Sequence, residues 1–263
     1  MKDMFEGPGS PVSQAGFDAA VADIGIQGQV QSLWSILAVE TRGFGYQTDR
    51  RPKILFERHV FHARTGGKFS AAHPDISNKE QGGYLGGPAE YGRLKRAMVL
   101  DRTAALESAS WGLGQVMGFN ATAIGYSSAE AMVTAFVESE DRQLEGCARF
   151  ITANSALQKA VKAQNWDRVA FYYNGKKYAA KGYHKKLAAF HQTFSQPGML
   201  PQVDIRAAQA RLTYLGFNPK GIDGVHGQGT SDAIKAFQAA QKLTVTGQLD
   251  NGTAAKLKAA AGA

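Results

Sequence analysis

"LAVETRGFGYQTDRRPKILFERHVFHA", residues Leu37 to Ala63, joins two apolar runs that each end on an acid. The first run, Leu33-Trp34-Ser35-Ile36-Leu37-Ala38-Val39, has the character of a helix and closes on Glu40. A glycine-containing, basic turn follows, and then Ile54-Leu55-Phe56 closes on Glu57. A carboxylate at the C-terminal end of a helix faces the unfavourable end of the helix dipole. With Trp34, Leu37 and Val39 around it, partial burial would further raise its pKa, the condition a general acid needs near neutral pH. Glu57 sits beside Arg58 and His59, a more cationic setting. Two carboxyls in contrasting environments are the pair that glycosidic bond cleavage uses.

Working outward, apolar residues at three-to-four spacing predict helices over 17–22, 29–40, 90–109, 129–152 and 156–173. The stretch Thr65–Gly87 is rich in Gly, Pro, Asn and Asp and reads as a long loop of the kind that is often functional. Ser195-Gln196-Pro197-Gly198-Met199-Leu200-Pro201 stops any helix and marks a linker. Beyond it lies an internal repeat: Gly224-x4-Gly229-Thr230 recurs as Gly247-x4-Gly252-Thr253, an offset of 23. Each unit reads as a glycine turn, a threonine N-cap and an amphipathic helix. With a helix near Ile205 to Leu215, three short helices form a small bundle. The fold class expected is mainly α, a larger helical domain at 14–194, a linker at 195–202 and the bundle at 203–263.

The chain has 263 residues, 44% of them hydrophobic, which suits one large or two smaller domains with real cores. Its net charge of +8 favours an anionic partner, an envelope surface or nucleic acid. No basic run of the nucleic-acid-binding type appears, so charge alone does not choose between them, and it is the resemblances below that imply no nucleic-acid partner. The single cysteine, Cys147, excludes an intramolecular disulfide framework and reads as a core residue. Met1 to Ser13 has no apolar signal region and no run approaches membrane-spanning length, so neither a signal peptide nor stable membrane insertion is expected. His59 and His62 lack the company a metal site needs, so no metal and no cofactor is expected. Glu138, Glu140, Asp141 and Glu145 share one helix and read as a solvated acidic face. Glu107 is a third acid worth following.

Three blocks in order resemble the goose-type lysozyme and lytic transglycosylase superfamily: Glu40 at its helix end, Ser110-Trp111-Gly112-Leu113-Gly114-Gln115, and Tyr173-Asn174-Gly175. More closely, "RPKILFERHVFH", "ALESASWGLGQVMGFN" and "SEDRQL" resemble the N-acetylmuramidase domain of bacteriophage endolysins, from about Phe17 to His191. The resemblance implies a lysozyme-like fold with Glu40 as catalytic acid and Glu57 as its partner. It also implies a sugar groove lined by Ser110, Gln115, Asn120, Tyr173 and Asn174, with glycines 112 and 114 letting the backbone approach the glycan. Lys176-Lys177-Tyr178 departs from the Pro-Gly-Tyr of relatives after the Asn-Gly pair.

The C-terminal part resembles the peptidoglycan-binding domain, through Gln209-x2-Leu212-x2-Leu215-Gly216-Phe217, Ile222-Asp223-Gly224-x2-Gly227-x2-Thr230 and Ala236-Phe237-Gln238. That resemblance implies wall contacts at Asp223, Gly224, Gly227 and Thr230. Together the two imply a monomeric endolysin, made in the host cytoplasm and acting on peptidoglycan in the periplasm after release. It would cut the β-1,4 bond between N-acetylmuramic acid and N-acetylglucosamine to lyse the host. The alternatives are a lytic transglycosylase giving 1,6-anhydro products and a non-catalytic wall-binding virion protein.

Overall fold

The computed structural model describes residues 3–176 and 178–262, and the fold is mainly α. Lys177, part of the departure noted above, lies outside the described residues. Two helices open the chain, α1 (Gln14–Ile24) and α2 (Val30–Thr41), followed by a strand, β1 (Ile54–Phe56), and α3 (Arg58–Arg64). After the 65–87 loop come α4 (Glu90–Leu100), α5 (Arg102–Glu107), β2 (Ala109–Trp111) and β3 (Val116–Met117). Five helices complete the larger part: α6 (Ala129–Glu138), α7 (Glu140–Ala153), α8 (Ser155–Lys162), α9 (Trp166–Asn174) and α10 (Tyr183–Phe194). The bundle is α11 (Val203–Tyr214), α12 (Gln228–Ala240) and α13 (Asn251–Ala261).

Three of the expected long helices are each two. Asp101, Ser139 and Asn165 interrupt them, and each side chain accepts a hydrogen bond from the backbone N–H of Ala104, Arg142 or Arg168. Such short polar side chains compete for the backbone amides, so a helix restarts at each of them. Ala109, expected to end a helix, instead opens β2, the central strand of a three-stranded antiparallel sheet ordered β1-β2-β3. Its register pairs Ile54 with Trp111 and Ser110 with Met117.

One continuous core fills the larger part, built from residues such as Trp34, Leu37, Phe56, Trp111, Phe136 and Cys147. Residues before Gln14 belong to it as well: Phe5 is buried, its ring stacked on Trp111 and edge-on to Tyr91. Cys147 is fully buried, and burial pushes its thiol up to about 12, as suits an inert core residue.

The repeat in the bundle has a physical cause. Gln209 on α11 accepts from the Gly224 amide (2.8 Å) and donates to Asp223, the Val225 carbonyl and Thr230. Gln238 on α12 accepts from the Gly247 amide (2.9 Å) and donates to Thr246, the Gln248 carbonyl and Thr253. Each buried amide thus staples one glycine turn to a threonine in the first turn of the next helix, where Gly227 and Asp250, and not the threonines as expected, hold the N-cap positions. Gly224 and Gly247 hold φ of +76° and +75°, and a Cβ at Gly224 would lie 3.0 Å from the Gln202 backbone.

The bundle is locked onto the larger part. Arg206 and Glu140 are both completely buried and form a two-armed ion pair of 2.7 and 2.6 Å. Arg206 Nε also donates to the Gly43 carbonyl, and Glu140 accepts from the Gly45 and Val12 amides. This corrects the expectation of a solvated acidic face, because Glu140 is the polar centre of the seam between the two parts. Phe44, Tyr46 and Ala210 pack around it, with Tyr214 donating to the Gly9 carbonyl.

Candidate active site

Glu40 lies in the last turn of α2, which ends at Thr41 with Arg42 in the left-handed conformation. The helix end is fastened from outside by Lys53, whose Nζ donates to the Thr41 carbonyl (2.9 Å). Packing of α10 against α2 brings Tyr183 to Glu40, and its hydroxyl donates to Oε1. Asn174, at the end of α9, reaches the same oxygen (3.4 Å). Glu40 is half-buried and lines a cleft. Burial raises its pKa to about 7, against the opposing hydrogen bonds from Tyr183 and Asn174. At neutral pH a large fraction of Glu40 therefore carries a proton to give.

Glu57 follows β1 directly and stands at the N-cap position of α3 without a side-chain capping bond. Its amide donates to the Ser108 carbonyl (2.9 Å), which continues the β1–β2 pairing by one step and fixes its backbone. Tyr84, from the 65–87 loop, brings its hydroxyl within 3.0 and 2.8 Å of the two carboxylate oxygens. His59 Nδ1 lies 3.1 Å from Oε2.

Glu40 and Glu57 line one cleft of about 490 Å³, and no other carboxylate among the described residues lines it. Its walls include Ser110, Gln115, Tyr173 and Asn174, four of the residues that the resemblance implied for a sugar groove, together with Leu55, Met117 and Phe119. Asn120, also expected there, is not among the lining residues, and Phe119 beside it is. The turn at 118–120 puts consecutive side chains on different sides, and the apolar ring is the one in the groove.

Several expected sugar-binding groups build the cleft floor. Gln115 holds φ of +47°, a strained value for a non-glycine residue. It is kept there by an acceptor bond from Ser110 Oγ (2.7 Å) and donor bonds to the Gly112 and Lys53 carbonyls. Tyr173 donates to the Gly114 carbonyl (2.7 Å). Glycines 112 and 114, expected to admit the glycan, instead admit α7. A Cβ at Gly114 would sit 2.7 Å from Cys147, and one at Gly112 would sit 2.6 Å from Gln143. Glu107 stands outside the cleft, in an ion pair with Arg64. His62 bonds Ser70 (2.7 Å), and no group of three or more metal-ligating side chains occurs among the described residues. In the bundle, Asp223 Oδ1 and the Thr230 hydroxyl accept from Gln209, while the Asp223 side chain is otherwise exposed.

Tyr183 and Tyr84, which touch the two acids, were not anticipated. Tyr84 stood in a loop already marked as functional by its length; Tyr183 carried no local signal.

Residues 29–195 match the N-acetylmuramidase family. The chain belongs to that family. Residues 201–257 of this muramidase match the peptidoglycan binding domain family, so the protein is a peptidoglycan-cleaving enzyme with peptidoglycan as its partner. The crystal structure of the Burkholderia AP3 phage endolysin is similar to the muramidase, with 34% identity over 71% of each chain and a TM-score of 0.64. No curated protein matches the sequence. No helix among the described residues of the muramidase is long and apolar enough to cross a membrane.

Proposed function

We propose that this enzyme is a lysozyme-type endolysin in which Glu40 is the general acid. It protonates the glycosidic oxygen of the β-1,4 bond between N-acetylmuramic acid and N-acetylglucosamine. The observation that carries this reading is a carboxyl raised to about 7 in a cleft that also holds a second acid. General acids work best with a pKa near the operating pH, and burial supplies that here. Glu57, fastened by the Tyr84 hydroxyl, is the partner that orients water or stabilises the positive charge developing on the sugar. Tyr183 orients the Glu40 carboxyl and Asn174 steadies it. Residues 14–194 form the catalytic module and 203–263 hold the wall, the whole acting as a monomer.

The deciding experiment is mass spectrometry of digests of purified peptidoglycan, wild type against Glu40→Gln. Hydrolysis gives reducing muropeptides that are absent with Glu40→Gln. Products lighter by one water would instead assign the enzyme as a lytic transglycosylase, and undiminished products from Glu40→Gln would move the acid elsewhere.

A further inference from the structure

A second cavity, of about 300 Å³, opens directly off the catalytic cleft. The two share His59, Gln81, Asn174 and Lys181, so they form one continuous surface. The junction is at Glu40 itself, because Asn174 and Tyr183 both bond its carboxyl and both line the second cavity. The character of the two spaces differs. The cleft holds both acids, whereas the second cavity is lined by Lys79, Lys176 and Lys181 and by no carboxylate among the described residues. None of the three lysines is in an ion pair among the described residues, and all three are exposed. Three acids among the described residues touch its lining residues from outside: Glu40 through Asn174 and Tyr183, Glu57 through His59, and Asp167, which accepts from the Tyr178 hydroxyl (3.3 Å).

Three unpaired cations around one concavity create a local positive potential that draws an anionic ligand. The polymer this enzyme cuts has such a group fixed beside the scissile bond. Each N-acetylmuramic acid carries a peptide on its lactyl ether, and that peptide ends in, and bears along its length, free carboxylates. A muramic acid whose glycosidic oxygen meets Glu40 must send this branch sideways out of the cleft. We propose that the lysine-lined cavity is a peptide-stem site, which takes the carboxylates of the stem on the muramic acid being cleaved. The proposal rests on Glu40 being the acid, since that places the branch at the cavity mouth. The site makes the enzyme selective for glycan that still bears its stems, and gives Lys79 and Lys176 a task at some distance from the reacting atoms.

The test compares two soluble substrates, glycan strands bearing their stems and the same strands stripped of stems by an amidase. Values of kcat and KM are measured on each for the wild type and for the double variant Lys79→Glu/Lys176→Glu. The two exposed lysines should together contribute about tenfold, as exposed ion pairs do. The wild type should therefore favour stem-bearing strands about tenfold, through KM, and the double variant should bring this ratio close to one. Added salt should erode the wild-type preference in the same direction. Equal cleavage of both substrates by the wild type would overturn the stem site, and so would a double variant that keeps the wild-type ratio. Equal losses on both substrates would also overturn it, assigning the lysines to the glycan or to general wall attraction. Binding of the free stem peptide to Glu40→Gln, followed by titration calorimetry, separates this from the catalytic reading. Saturable binding weakened about tenfold by the lysine substitutions supports the site whichever residue is the acid, and no binding counts against it.

Discussion

Replacing Arg206 by methionine keeps most of the side-chain volume and removes the cation from the seam between the two parts of the molecule. Glu140 would then be left fully buried with the Val12 and Gly45 amides and without its ion-pair partner, and the Gly43 carbonyl would lose its donor. Removing one partner of a buried ion pair costs about 3–5 kcal/mol, because the remaining charge is stranded in a poorly solvating interior. For a chain of this size each kcal/mol lowers the melting temperature by about 2 °C, so Arg206→Met should melt about 6–10 °C below wild type. The double variant Arg206→Met/Glu140→Gln removes the stranded charge while leaving an amide oxygen to accept from the backbone, and should recover about half of that loss. Differential scanning calorimetry on the wild type, both single variants and the double variant closes the cycle. Because Arg206 also grips the turn just beyond Glu40, Arg206→Met should lower turnover on soluble glycan as well as stability. A melting temperature within about 1 °C of wild type would refute the reasoning. So would a bundle that melts as a separate transition and is indifferent to Glu140.

Glu40→Gln keeps the shape and loses the transferable proton, so turnover should fall by roughly 10²–10⁴ while wall sedimentation persists; Glu57→Gln should lose less and Glu107→Gln least. The wild-type rate should decline as pH rises through about 7, since only the protonated carboxyl donates. Tyr183→Phe removes a bond that lowers the Glu40 pKa, so its alkaline limb should move to higher pH in a rate profile. A carboxyl whose pKa is raised by folding stabilises fully below its unfolded value of 4.5, and that contribution is lost as pH rises through about 7. Glu40→Gln should therefore unfold later than wild type in urea above pH 7, by on the order of 3 kcal/mol at most. Dialysis against EDTA should leave lysis of extracted peptidoglycan unchanged; loss restored by zinc would place a metal where none is expected.

What the sequence determined by itself was whatever depends on neighbours along the chain. The apolar runs ending on Glu40 and Glu57, the helix stop before Val203 and the doubled glycine–threonine turns all follow from local propensity and periodicity. The breaks at Asp101, Ser139 and Asn165 were legible too, as N-cap residue types, although the apolar period running through them outweighed that signal. Only the tertiary structure decided which groups face the two acids. Tyr183 lies 143 residues from Glu40 along the chain and Tyr84 lies 27 from Glu57, and neither meeting is encoded in a local pattern. The same holds for Glu140, which helical spacing placed on a solvated face. Its burial depends on Arg206, 66 residues away, because a carboxylate enters the interior only where a partner from another part of the fold arrives to meet it.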